Sequence, residues 1–336
     1  MNKSEMVKMI LDKGMLISPS LLERLSEETL TSILKNGSRK DVVLDAIPEH
    51  APKAEAIEAP KKSGPQKQKT EPAIRIEVVQ HERKENLSPE DFVKCYNDRY
   101  EKIRRMLLKK TDAISINKIR DSATAVTSIG IVREKTPTTL IIEDTTGEMG
   151  LVMDQGTDAI EEDDVIAATG HVREGKMYVR DVKFPDIPLS RHVAKSDIRI
   201  CFSEEGPSED GDILCSTKKV ITTEGKEIDI DIPATVTVEK GGDSVTIVIY
   251  KPGKGTGMKS AVDMLKKRHL STGRKDVRGP EDSSVIDRIP DVFWLVSEEK
   301  GTMAYKGVTI VSCSGGTSAM LDMSTRKVDF IDKRPR

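Results

Sequence analysis

Between residues 123 and 182 the chain alternates short β-rich runs with tight turns, and no other feature restricts the fold as strongly. Residues 125–132 are rich in β-branched side chains and carry Gly130, as expected of a strand that bends hard around a small barrel. Residues 138–142 lead into the turn 143–147, where Gly147 is available for a positive φ. Residues 150–153 continue the hairpin, and 157–162 suit a short helix. The next strand spans 165–170. Arg173, Glu174 and Gly175 then turn the chain into a last strand over 177–182.

Five strands with a helical insertion after the third match an oligonucleotide-binding (OB) barrel. A single-strand-binding barrel needs aromatic platforms and a basic groove. Only Tyr178 lies within the strands, with Phe184 just outside them. Arg133, Lys135, Arg173 and Lys176 are offset by Glu161, Glu162, Asp163 and Asp164. On these counts protein contact is favoured over nucleic-acid contact.

The segments before the barrel differ in character. Residues 88–119 open with Ser88 as a helix cap, Pro89 in the first turn, and Glu90 and Asp91 at the positive helix end. Phe92, Tyr96, Tyr100, Ile103 and Leu107 recur at spacings of three and four, which predicts an amphipathic helix to about Lys110. The opposite face carries Lys94, Arg99, Lys102, Arg104 and Arg105. Asp98 and Glu101 are mixed in, so an ordinary solvated face is expected. Residues 47–87 hold Pro48, Pro52, Pro60, Pro65 and Pro72 among Ala, Lys, Glu and Gln, the composition of a flexible linker, with a short strand expected at 74–79. Residues 1–46 read as a small helical unit, with Gly14 and Asn36-Gly37 as stops and Ser18-Pro19 as a start.

Composition excludes several classes. The net charge of −2 gives no global basic field to pull the chain onto nucleic acid. No apolar run approaches the ~20 residues of a membrane helix, and the first residues lack a signal-peptide core. Cys95, Cys201, Cys215 and Cys313 are far apart and form no C-x-x-C pair; buried thiols in a reducing cytoplasm are expected.

The segments 140–147, 163–166 and 184–188 (Phe-Pro-Asp-Ile-Pro), followed by 265–270, 289–293 and 305–308, resemble in this order the small subunit of the archaeal family-D DNA polymerase. That resemblance implies an α+β chain. A helical N-terminal unit (1–46) and the linker (47–87) precede a helix leading into the barrel (88–119), an OB-fold domain (120–190) and a calcineurin-like phosphoesterase domain (191–336). It also implies a 3′–5′ exonuclease with two metals held by Asp, His and Asn residues.

The ligand motifs of that family are missing. Where the family carries Ser-Asp-x-His, this chain has Ser203 followed by Glu204 and Gly206. A Gly-His-x-His motif is replaced by residues 296–299, Val-Ser-Glu-Glu, and a Tyr-His-Gly loop by Tyr250-Lys251-Pro252-Gly253. Gly211-Asp212 superficially resembles a further motif, but Cys215 stands where its second Asp belongs, so a loop is expected there. Of the histidines, His50, His81 and His171 lie outside the phosphoesterase region. His192 and His269 are too few for a cluster, and His269 is read as structural. No catalytic, cofactor or metal residue is therefore assigned, and no cofactor, small-molecule substrate or membrane contact is expected.

The resemblance then implies a non-catalytic accessory or scaffolding protein of DNA replication or repair in the cytoplasm. Its partner would be the large polymerase subunit or another replication protein, with only weak or indirect DNA contact. The alternatives are an active exonuclease subunit and a single-strand-binding OB protein.

Overall fold

A computed structural model describes residues 16–17, 43–44, 74–80, 83–154, 156–191, 193–206, 211–253, 255–270 and 277–332. The chain divides into two compact units, Met1–Lys69 and Thr70–Arg336. In the first, β1 (Leu16–Ile17) pairs in parallel with β2 (Val43–Leu44). The helices expected over 1–46 lie outside the described residues, as does the linker composition over 47–73. The second unit is mixed α+β and dominated by sheet.

Five strands close into a barrel in the order β4 (Ser122–Lys135), β5 (Thr139–Asp144), β6 (Gly147–Met153), β8 (Lys176–Lys183) and β7 (Val165–Arg173). All neighbours are antiparallel except β6 and β8, which run parallel. Alternation along each strand sends Val132, Leu140, Ile142, Leu151, Ile166 and Met177 inward. Each such side chain contributes about 1.5–3 kcal/mol when fully buried. Tight curvature needs positions without a side chain. A Cβ on Gly170, opposite the β8 bulge at Arg180, would lie 2.2 Å from the Tyr178 carbonyl oxygen, and one on Gly130 would lie 2.8 Å from Ile142 Cβ.

Two expectations about the barrel are corrected. Residues 157–162 form turns instead of a helix. Asp164 Oδ2 accepts from the Glu161 N–H, a local bond that competes with helical ones, and Thr157 Oγ1 donates to the Thr136 carbonyl across the barrel end. The 143–147 turn does not use a positive φ at Gly147. Instead Asp144 Oδ1 accepts from the N–H groups of Thr146 and Gly147, and its Oδ2 accepts from the Ile116 N–H.

Helix α1 (Pro89–Leu108) begins at Ser88 with a reciprocal capping box to Asp91. Such caps stabilise a helix by about 1 kcal/mol. Tyr100, Ile103 and Leu107 pack on Ile129, Ile131, Val165 and Ala167 of the outer barrel wall. Phe92, expected inward, is exposed. In the first half the buried positions are Asp91, Cys95 and Arg99, because that half meets a polar surface.

The remainder is a two-layer sandwich. One six-stranded sheet runs β12 (Glu227–Asp229), β11 (Lys219–Thr222), β10 (Ile213–Cys215), β9 (Arg199–Phe202), β18 (Thr317–Asp322) and β19 (Val328–Asp332). The other runs β16 (Gly301–Tyr305), β17 (Val308–Ser312), β15 (Val292–Leu295), β14 (Asp243–Tyr250), β13 (Ala234–Lys240) and β3 (Arg75–Val79). Strand β3, expected as an isolated piece of linker, is antiparallel to β13 and completes that sheet's edge. The β13–β14 hairpin turns through Gly241 and Gly242, both at positive φ, as a two-residue hairpin loop requires.

Between the sheets lies a continuous apolar core. Phe202 of β9 and Trp294 of β15 meet there with ring centroids 5.2 Å apart. Helix α2 (Met258–Lys267) covers the outer face of the second sheet, setting Ala261 and Leu265 against Val248, Phe293 and Ile310. Val262 is only partly buried. No helix among the described residues is long and apolar enough to cross a membrane.

Candidate functional site

Strands β14, β15 and β17 run parallel, so their C-terminal ends, Tyr250, Leu295 and Ser312, stand side by side. The loops leaving these ends, together with the loop after β9, hold the positions singled out by sequence: Glu204, Lys251 and Glu299. Lys251 Nζ forms an ion pair with Glu204 Oε1, and the Gly315 N–H donates to Glu204 Oε2 at 2.8 Å. The Lys251 hydrogen bond and then the Gly315 N–H hold the Glu204 carboxyl below the usual glutamate range.

Glu299 is used differently. Its Oε2 accepts the Met258 N–H at 2.7 Å, at the first turn of α2. The helix cap there is Gly257, which has no side chain to supply, and a carboxylate suits the positive end of the helix. Ser312 Oγ donates to the Glu299 carbonyl, and Ser297 Oγ lies 2.9 Å from Ser312 Oγ.

The chemistry of this donor set does not fit a metal centre. One carboxylate is neutralised by an ammonium, the other is spent on a helix end, and Lys251 would repel a divalent ion. Among the described residues no group of three or more His, Cys, Asp or Glu converges as metal ligands must. Among the described residues no nucleophile–base pair forms at the strand ends. Ser203 Oγ is buried there without a hydrogen-bond partner among the described residues.

The remaining sequence candidates scatter. Asp212 accepts from the Arg199 N–H and pairs with Lys240 in the loop before β10. Cys215 is not in that loop but buried within β10. His171 lies on β7. His50, His81 and His192 lie outside the described residues.

His269 is buried in a second cluster, between α1 and the sandwich. Asp282 is its centre: Arg99 Nε lies 2.5 Å from Oδ2 and His269 Nε2 lies 3.1 Å from the same oxygen. The Ser284 N–H donates to Oδ1, and the Asp282 N–H donates to Asp98. Burial acts to raise the Asp282 carboxyl, but His269 and Arg99 outweigh it and hold the group well below the usual aspartate range. Alongside, Lys267 pairs with Asp164 of the barrel at 2.7 Å; burial there prevails and pushes the Asp164 carboxyl up.

A third contact uses Asp186 from the strap between barrel and sandwich. It accepts from the Tyr305 hydroxyl at 2.9 Å and pairs with Lys306, while Lys110 Nζ donates to its carbonyl. Sequence reasoning missed the Asp282 centre. Arg99 was assigned to a solvated face, and its partner is 183 residues away, beyond any local pattern.

No family model matches this chain, and no curated protein matches it. Among solved structures it is similar to the hypothetical protein ygiW from E. coli, at 15% identity over 22% of this chain and 89% of that one, with a TM-score of 0.19. A likeness of that size carries no argument about fold or function.

Proposed function

We propose that this chain is a non-catalytic accessory protein of DNA replication or repair, a homologue of the family-D polymerase small subunit that has kept the scaffold and lost the nuclease. The strand order β4-β5-β6-β8-β7, with its one parallel pair, supports reading the barrel as an OB fold. The two packed sheets with a helix on one outer face support reading the remainder as a shortened phosphoesterase-like domain. The observation that carries the proposal is the Glu204–Lys251 ion pair at the strand ends. It occupies the position where the resemblance would put a metal ligand set, and it satisfies itself without a metal. On this reading the barrel and the sandwich, tied through Asp282, Asp164 and Asp186, would offer two faces to partners.

The test has two arms. Pure full-length protein is incubated with single-stranded DNA and Mn²⁺, and it is titrated calorimetrically with the large polymerase subunit. The proposal expects no cleavage and a saturable complex. Cleavage that disappears in Glu204→Gln would restore the exonuclease reading, and absence of any complex would remove the scaffold reading.

A further inference from the structure

One row on the outer face of the second sheet crosses five strands in register: Val79, Thr235, Val248, Phe293 and Ile310. Their strand neighbours Val236, Ile247 and Trp294 point between the sheets, so the side chains of this row point out. Helix α2 covers Val248, Phe293 and Ile310. It then ends at Arg268, which turns the chain with a left-handed φ of 56°. Thr235 and Val79 lie past the end of its cover.

The chain after α2 walls this end of the row without filling it. Leu270 and the segment 283–288 face Thr235 and Val248 across a cavity of about 190 Å³. Main-chain bonds hold the wall in place. The Leu270 N–H donates to the Ser284 carbonyl at 2.8 Å, and the Ile286 N–H donates to the Arg268 carbonyl at 2.9 Å. Val248, Leu270 and Ile286 are buried, while Val79, 43% exposed, borders the opening.

The polar groups around this apolar body are few and differ in their commitments. Ser283 lines the cavity, and its Oγ is buried with no hydrogen-bond partner among the described residues. A change of χ1 rotamer turns that hydroxyl without breaking a bond. Asp287 and Arg288 also line the cavity, and both are exposed. Asp287 lies 4.0 Å from Lys102 of α1. Arg288 has no ion-pair or hydrogen-bond partner among the described residues.

We propose that this cavity binds a small monocarboxylate, its apolar body against Val248, Leu270 and Ile286 and its carboxylate at Arg288 and Ser283. An apolar cavity of about 150 Å³ takes a benzene molecule, so this one takes a body of about six to eight heavy atoms. The guanidinium offers charge-assisted bonds to a carboxylate, and the Ser283 hydroxyl gains the partner it lacks. An amine head would need Asp287, which already has Lys102 beside it. The proposal does not rest on the scaffolding reading.

The test is isothermal titration of the full-length protein, at constant ionic strength, with hexanoate, hexanol and hexylamine, which share one body and differ in the head. Hexanoate is expected to bind at one site, tighter than hexanol, with hexylamine weakest. Arg288→Ala is expected to weaken hexanoate about three- to tenfold and to leave hexanol unchanged. Ser283→Ala is expected to weaken hexanoate while the free protein melts no lower, because the variant deletes an unpaired buried hydroxyl. Val79→Trp fills the opening and is expected to abolish binding of all three. Val79 and Arg288 are exposed, and unchanged melting would certify their variants as folded. No hexanoate binding across the millimolar range would overturn the proposal. So would equal hexanoate binding by wild type and a folded Arg288→Ala or Val79→Trp, or hexylamine bound tighter than hexanoate.

Discussion

The Arg99–Asp282 pair and the Glu204–Lys251 pair each join a cation to a carboxylate, in contrasting surroundings. At the joint between helix and sandwich the two side chains are 4% and 3% exposed; at the strand ends Lys251 is 53% exposed and Glu204 21%. Water can replace either partner of the second pair and neither partner of the first. The buried pair is therefore an architectural element whose members cannot be removed singly. The half-exposed pair can be dismantled at little cost.

The largest expected effect follows from burial. Asp282→Ala leaves Arg99 charged and enclosed, which costs about 3–5 kcal/mol, read as a lower midpoint in urea unfolding. Replacing both partners with apolar residues, Arg99→Met with Asp282→Leu, is expected to cost much less, because no unpaired charge remains. If the single variant unfolds at the wild-type midpoint, the contrast between the two regions fails at its first step.

Acid sharpens the same contrast. The Asp282 and Asp186 carboxyls are held below their unfolded value of roughly 3.9. A group depressed in the folded state contributes stability that is present above its unfolded pKa and is lost as pH falls through the folded one. Thermal melting of wild type is thus expected to decline steeply below about pH 4. Asp282→Asn should melt lower at neutral pH and show a shallower decline.

Lys267→Met tests a pair of intermediate kind. Asp164 is also buried, and burial already pushes its carboxyl up, so removing Lys267 leaves a buried carboxyl without its cation. The expected loss is about 1–3 kcal/mol near neutral pH, shrinking as the pH falls because protonation removes the unpaired charge. Chemical unfolding at two pH values measures the loss and its decline with acid.

The sequence made the barrel legible and left the joint illegible for a physical reason. Strands 125–132, 138–142, 165–170 and 177–182 announce themselves as short β-rich runs bounded by turn residues, a local property. The turns at Arg173–Lys176 and Gly241–Gly242 are likewise local, since positive φ is written into the residues themselves. Arg99 and Asp282 carry no such mark: a buried ion pair between distant segments looks, residue by residue, like two surface charges. Strand β3 shows an intermediate case. Its β-branched residues were readable, but its place beside β13 depends on a sheet edge assembled from the far end of the chain. At the strand ends the reverse held, because the positions of Glu204 and Lys251 came from resemblance and their mutual pairing emerged only in three dimensions.

The smallest expected effect belongs to that pair. Lys251→Ala removes one ion pair from a half-exposed loop, and such pairs are worth about 0–1 kcal/mol. The Gly315 N–H still donates to Glu204, so the carboxylate keeps a partner and the loop its shape. The unfolding midpoint should shift little or not at all, and the binding of a large-subunit partner should be unchanged. The same variant takes away the ammonium that opposes a divalent ion. If the strand ends retained a latent metal site, Lys251→Ala would uncover Mn²⁺ binding by calorimetry; the donor set, with Glu299 committed to the end of α2, predicts that it does not. A loss of several kcal/mol would instead mean that this pair is as architectural as the buried one, and that exposure does not separate the two regions.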